Sequence, residues 1–332
     1  VFFISVKRAD AQSLLQFQKS LDTTFIADFH DELILRAFGS RKYTTYTLYD
    51  KQYNERLAYL PNSPFNIGVG FNYKMIGINL GFNLPVINQN VLYGKTRFLD
   101  LQSHVYGRKL TVDLYLQRYK GFYQPNTDFL LNNNNRQVYK RPDLLTLNAG
   151  IEFQYLFNWS KFTFRGAFLQ NEVQLKSAGS PILGFYLGTI TIDADSSVIP
   201  INIKYATFFN DYQFYHSNVR SATLSVGYGY TFVLPYHFFV TLAASGGLGV
   251  NNTVLRSVNF GTSSVFGNNI SGTLRLGLGY NSRRFFTGIH YVGTQSSNST
   301  PIAQARQVFG AGNFRISIAH RLTLKKKLFG IY

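Results

Sequence analysis

Between Phe65 and Leu84 the sequence alternates with a period of two. Phe65, Ile67, Val69, Phe71 and Tyr73 fall on one face, and Asn66, Gly68, Gly70 and Asn72 on the other. After a tight turn at Lys74-Met75, Ile76, Ile78, Leu80, Phe82 and Leu84 alternate with Gly77, Asn79, Gly81 and Asn83. Side chains of a strand point alternately to its two faces, so each segment has one greasy face and one small, polar face. A soluble sandwich usually carries charges on its outer face, whereas Gly and Asn suit a water-facing lumen. The stretch reads as a transmembrane β-hairpin with its Asn/Gly face inward.

Composition agrees. The 332 residues include 31 Phe, 23 Tyr and 28 Gly, and only 15% are charged. Mean hydropathy is −0.07, as expected where half of each strand faces lipid and half faces water. No apolar run reaches the roughly 20 residues of a spanning helix. The nearest, Phe238–Val250, is broken by Thr, Ser and three Gly and reads as one more strand. Without cysteine there is no disulfide framework and no thiolate metal site. The net charge of +17 is scattered over turns and strand ends. It is expected to meet solvent, anionic lipid and lipopolysaccharide rather than nucleic acid.

In chain order, Val1–Val6 followed by Ala9-Asp10-Ala11 reads as the end of a secretory signal, residues 1–11, with Gln12 as the mature start. Residues 12–31 are expected to be a periplasmic segment, opening with a short amphipathic helix (Leu14, Leu15, Phe17, Leu21), against or just inside the barrel floor. Residues 32–324 form the barrel and 325–332 a tail. Expected strands are Glu32–Asp50, the hairpin, Thr96–Tyr106, Lys109–Tyr119, Leu144–Phe157, Phe162–Asn171 and Ile182–Ile192. Ala222–Val233, Phe238–Val250, Leu274–Tyr280, Phe285–Val292 and Phe314–Leu324 follow. Short turns fall at 74–75, 107–108, 158–161, 234–237 and 281–284, and long polar loops at 85–95, 120–141, 251–270 and 293–312. Alternating connection length is the outer-membrane plan, with long loops outside the cell. Thirteen segments cannot close with both ends in the periplasm. If Ile201–Phe209 spans, the count is 14, which is the expectation. If it and Ile182–Ile192 fold into the lumen or a loop, it is 12.

Projecting the alternation inward yields Asp100, Gln102, His104, Asp113, Gln117, Glu152, Gln154, Arg165, Asn171, Arg275, Arg315 and Arg321. Carboxylates lie on early strands and most guanidiniums on late ones. Across a narrow lumen they are expected to meet, since Arg binds carboxylate bidentately. A charged network filling the lumen is one reading, and a charge-lined channel the other. Gly227, Gly229, Gly247, Gly249, Gly277 and Gly279 thin the wall, leaving a cavity or admitting a plug. His216-Ser217-Asn218 resembles the His/Ser/Asn set of outer-membrane phospholipases, but adjacent strand residues point to opposite faces. No metal-ligand grouping, phosphate loop or nucleophile elbow occurs, so neither cofactor nor metal is expected.

Several islands resemble a Bacteroidetes-type outer-membrane family catalogued as a domain of unknown function. They are Leu35-Arg36, Ser40-Arg41-Lys42-Tyr43, Lys95-Thr96, Leu99-Asp100-Leu101-Gln102-Ser103-His104 and Tyr106-Gly107-Arg108-Lys109. Tyr119-Lys120-Gly121, Arg141-Pro142-Asp143, Ala167–Glu172, Lys176–Ser180 and Tyr280-Asn281-Ser282-Arg283 continue the series. The resemblance runs from about Asp22 to the C-terminus. It implies an outer-membrane barrel in a diderm cell and brings no activity or catalytic residues. The chain departs from barrel practice at its end, where Lys325-Lys326-Lys327 follow the last strand before Phe329 and Tyr332. Two functions are expected to compete: a non-enzymatic accessory barrel docked to other envelope proteins, or a diffusion channel for small anions.

Overall fold

The structure is a computed structural model describing residues 21–73, 76–83, 90–125, 138–201, 203 and 207–324. The expected leader and amphipathic helix (up to Ser20), the turn at Lys74-Met75, the Asn132–Asn135 run and the C-terminal tail lie outside the described residues.

The chain forms an antiparallel sheet curled into a barrel. Its strands are β2 (Leu33–Asp50), β3 (Glu55–Tyr59), β4 (Asn66–Tyr73), β5 (Ile76–Asn83), β6 (Arg97–Asp100), β7 (Ser103–Tyr106) and β8 (Leu110–Gln124). They continue with β9 (Tyr139–Leu156), β11 (Ala178–Asp193), β12 (Phe214–Val233), β13 (Phe238–Ser257), β14 (Gly261–Asn281), β15 (Phe285–Ser299) and β16 (Ala305–Leu322). A separate two-stranded sheet pairs β1 (Ile26–Asp28) with β10 (Glu172–Gln174). The last strand β16 pairs along its whole length with β2, Leu322 opposite Leu33. The fourteen strands of the sheet occupy twelve positions around the wall. β3 and β4 share one edge of β2, and β6 and β7 share one edge of β8.

Four expected elements are corrected. Phe162–Asn171 is not a wall strand; it turns inward and carries the short helix α1 (Arg165–Phe168). Ile201–Phe209 does not span: Phe208–Asp211 is a 3-10 turn in the connection between β11 and β12. Ile182–Ile192, by contrast, lies in the wall, within β11. The stretches 251–270 and 293–312 are not loops but the upper ends of β13 to β16, joined at 258–260 and 300–304. Above the membrane the outer face need not be greasy, so the ladder continues through Asn, Ser and Thr with no hydrophobic rhythm to announce it. Strands of about 20 residues, tilted about 40°, rise about 50 Å, twice the roughly 25 Å apolar band.

That band is visible on the outside. Val226 is 68% exposed and Leu248 72%, with Leu224, Leu242, Leu274, Leu278 and Ile318 around them. The opening hairpin behaves alike: Ile67, Val69, Leu80 and Phe82 face outward, while Asn72 is buried. An apolar outer belt on a wall whose strands all pair antiparallel is the solution a bilayer imposes. The protein is a transmembrane β-barrel of a bacterial outer membrane. Both ends of the wall, Leu33 and Leu322, sit opposite each other at one end of the barrel, the end that outer-membrane barrels turn to the periplasm. Val226→Arg is expected to cost about 2–4 kcal/mol by denaturant titration in lipid. The same change at Asn252, exposed on the polar upper wall, is expected to be near neutral.

Candidate functional site

Two inserts fold into the lumen, one from each end. At the periplasmic end, residues 157–177 leave β9, fold inward and return to β11. Phe162, Phe164, Ala167 and Phe168 are buried there against Ile34, Tyr106, Phe239 and Phe286 of the wall. Two inward glycines admit the insert. A Cβ at Gly229 would lie 3.0 Å from Phe162 Cζ and 3.3 Å from Phe164 Cζ, and one at Gly277 3.3 Å from Ala167 Cβ. Of the two outcomes expected for thin walls, at these positions the plug is the one found.

Arg321 fastens this insert to the wall. Its Nε donates to Gln170 O (2.7 Å) and its Nη2 to Asn281 Oδ1 (2.7 Å), and Nη1 donates to Ser282 O. Asn281 Nδ2 in turn donates to Gly166 O (3.2 Å) and Glu172 O (3.1 Å). Arg165 lies on α1 rather than on a wall strand, with Nη1 2.9 Å from Glu172 Oε1. Arg108 pairs with Asp28 of β1, joining the N-terminal segment to the same floor. Asn171, expected on the wall, accepts through its backbone oxygen from Phe29 N–H (2.9 Å). Gly229→Leu is expected to evict Phe162 and Phe164. The single tryptophan, Trp159, stacked under Lys109 Nζ at 4.6 Å, reports this as a red-shifted, quenchable emission.

At the outer end, the β11–β12 connection folds into the barrel mouth. Val198, Ile199, Ile203, Phe208 and Phe209 pack against Tyr46, Leu48, Tyr59, Tyr119 and Phe122. Arg141 holds it, donating to Ser197 O (2.7 Å) while its Nε and Nη2 grip both carboxylate oxygens of Asp143 (2.9 and 2.7 Å). Asp50 accepts from Phe209 N–H at 2.7 Å.

Between the plugs lies a polar layer. Asp113 on β8, 1% exposed, accepts from Arg275 on β14, 2% exposed, and from His104 Nδ1 at 2.7 Å. β8 and β14 stand five positions apart in a twelve-position wall, so this contact crosses the lumen. Arg275 also stacks over the Phe164 ring at 5.5 Å, tying the bridge to the floor. Glu152 sits beside Asp113 in register and accepts from Gln154 Nε2 at 2.7 Å. Asp100 accepts from Gln117 Nε2 (2.8 Å) and Tyr119 OH (2.6 Å) and lies 3.5 Å from Lys42 Nζ of β2. Gln102 donates its N–H to Asp100 Oδ1 at 3.2 Å. Arg315 and Arg321 reach no carboxylate within salt-bridge distance among the described residues. Arg315 instead lies 5.1 Å over the Phe38 ring.

Sequence projection missed Arg36 and His290, both buried beside Arg315. Arg36 shares the inner face of β2 with Ile34 and Phe38, so its alternation looked apolar on both faces. His216 and Ser217 do part to opposite faces: His216 Nδ1 is 2.6 Å from Asp193 Oδ1, while the buried Ser217 Oγ donates to Gln307 Oε1 at 2.9 Å. No group of three or more potential metal ligands occurs among the described residues.

The family model described as "Domain of unknown function (DUF4421)" matches residues 20–321. The chain belongs to this family. No curated protein matches the sequence. Among solved structures, the outer membrane protease OmpT from Escherichia coli aligns at 7% identity and a TM-score of 0.38, over 89% of this chain and 98% of that one. The translocator domain of autotransporter NalP from Neisseria meningitidis aligns at 9% identity and 0.34, over 88% of each chain. The Pseudomonas putida toluene transporter TodX aligns at 8% identity and 0.22, over 87% and 89%. Such scores transfer no activity to this member of the family, whose barrel rests on its own strand ladder.

Proposed function

We propose that the protein is a non-enzymatic, non-conducting accessory barrel of the cell envelope, held in lipid and lipopolysaccharide and presenting its rigid ends to other envelope proteins. The carrying observation is the lumen filled from both sides, with the Arg275–Asp113 bridge between two aromatic plugs. A solute path would have to cross all three layers. The separation of His216 from Ser217 supports the non-enzymatic reading, because a nucleophile needs its base within hydrogen-bond reach. The test is conductance in a planar bilayer. The intact protein is expected to give none above the lipid background, and stepwise currents would replace this reading with a pore. That second reading, a path for small anions, draws support from the arginines lining the cavity in the periplasmic half.

A further inference from the structure

In the periplasmic half of the lumen lies a cavity of about 370 Å³, lined by three arginines and two histidines and by no carboxylate. Arg165 and His104 are already matched by Glu172 and Asp113. Arg36 and Arg315 are not. Arg36 is 4% exposed, and its Nε and Nη2 have no hydrogen-bond partner; Arg315 Nε has none either. His290 is buried beside them, its Nε2 3.2 Å from Ser317 Oγ and its Nδ1 unpartnered. A guanidinium cannot shed its proton to escape burial, so two unpaired ones buried in the wall call for an anion.

The cavity also has a direction. It is lined by His104 and Tyr106, which face the lumen, and by Ser103 and Val105, which face outward. The lining takes in the whole run Gln102–Gly107, which carries the edge of β7 turned away from β8. Among the described residues β7 pairs only with β8, and β5, whose Asn79 forms the opposite rim, pairs only with β4. The wall is joined above this seam by the Leu60–Tyr123 bridge and by Lys42 against Asp100. The opening is therefore lateral. Val105, 53% exposed, and Leu80 on the facing strand belong to the apolar belt, so the portal meets lipid rather than bulk water.

We propose that this cavity binds the phosphate-bearing headgroup of an anionic membrane lipid, admitted between β5 and β7. The planar forks of Arg36 and Arg315 match phosphate oxygens bidentately, while the acyl chains stay outside along Leu80 and Val105. A free anion would need a route through the plugs, whereas a lipid reaches the site from where it resides. The site is independent of whether the lumen conducts, so a conductance result leaves it untouched.

Native mass spectrometry of the full chain released from dodecyl-maltoside micelles tests this, with phosphatidylglycerol, phosphatidylcholine or inorganic phosphate added. The expected result is one retained phosphatidylglycerol, favoured at least tenfold over phosphatidylcholine, and a higher Tm with it. In R36Q/R315Q the preference is expected to vanish. That variant should melt above the unaltered protein in lipid-free micelles, because two unpaired charges are gone. Asn79→Trp, which blocks the portal and spares the arginines, is expected to lose the lipid as well. Equal retention of both lipids, a preference surviving R36Q/R315Q, or phosphatidylglycerol held by the Asn79→Trp variant would each overturn the proposal. So would inorganic phosphate matching the lipid's effect, or R36Q/R315Q proving less stable than the parent.

Discussion

Arg275→Ala is expected to destabilise the barrel by about 3–5 kcal/mol, seen as a lower urea midpoint in micelles and a lower temperature for loss of the compact gel band. The size comes from what is left behind. Asp113 is 1% exposed and has two side-chain partners, the Arg275 guanidinium and the His104 ring. Without the guanidinium, one carboxylate stays buried beside Glu152 with only an imidazole to balance it. The same substitution removes the ring contact with Phe164, so the floor insert loosens too. A paired replacement separates the two effects. Asp113→Leu with Arg275→Met removes both charges and keeps most of the volume, and buried ion pairs exchanged this way are often neutral or stabilising. The double variant is expected to recover most of the lost stability. If it is as unstable as Arg275→Ala, the bridge contributes through packing rather than charge balance, and the lumen network would need a different account.

Much of this wall was legible because half of it faces lipid. Wherever the outer face is greasy and the inner face small, as in Ile67–Asn72 or Leu242–Gly249, the period of two survives in the sequence and gives both strand and facing. The rhythm fails where the outer face meets water. Residues 251–270 look like a polar loop, yet Asn251 to Ser257 and Gly261 to Asn269 are paired wall, held by backbone ladders that leave no hydrophobic mark. It fails again where apolar residues face inward. Phe162, Phe164 and Phe168 imitate a strand, although they fill the lumen, because a plug and a bilayer both reward aromatic rings. Within the site, Asp113, His104 and Arg275 were each readable as inward. That Arg275 meets Asp113, while Arg315 meets no acid among the described residues, depends on register across the curled sheet. Arg36 stayed hidden because its neighbours on the inner face, Ile34 and Phe38, carry no polar signal.

Removing both plugs is expected to turn a silent barrel into a conducting one, whereas removing either alone should not. The outer plug is excised by joining Asp193 to Phe214 with a short Gly/Ser turn, and the inner one by joining Leu156 to Ala178. Both joins link strands that are already neighbours in the sheet, so the ladder itself is untouched. Each excision strips a cluster of buried aromatic rings, at roughly 1.5–3 kcal/mol for each large side chain no longer buried. The variants will therefore melt earlier, and a compact band on an unheated gel must be shown before recording. A barrel of eight strands is filled by its own side chains, while sixteen leave an aqueous channel. Twelve positions lie between, wide enough that the inserts rather than the wall residues form the seal. The single excisions leave one aromatic layer in place, Phe208 and Phe209 outside or Phe162 and Phe164 inside, and are expected to stay at background. The double excision should show discrete steps, enlarged further by Asp113→Leu with Arg275→Met, which removes the cross-lumen bridge. A compact double excision that stays silent would locate the seal in the polar layer. Steps from the intact protein would mean the plugs open unaided, and the accessory reading would give way to a gated pore.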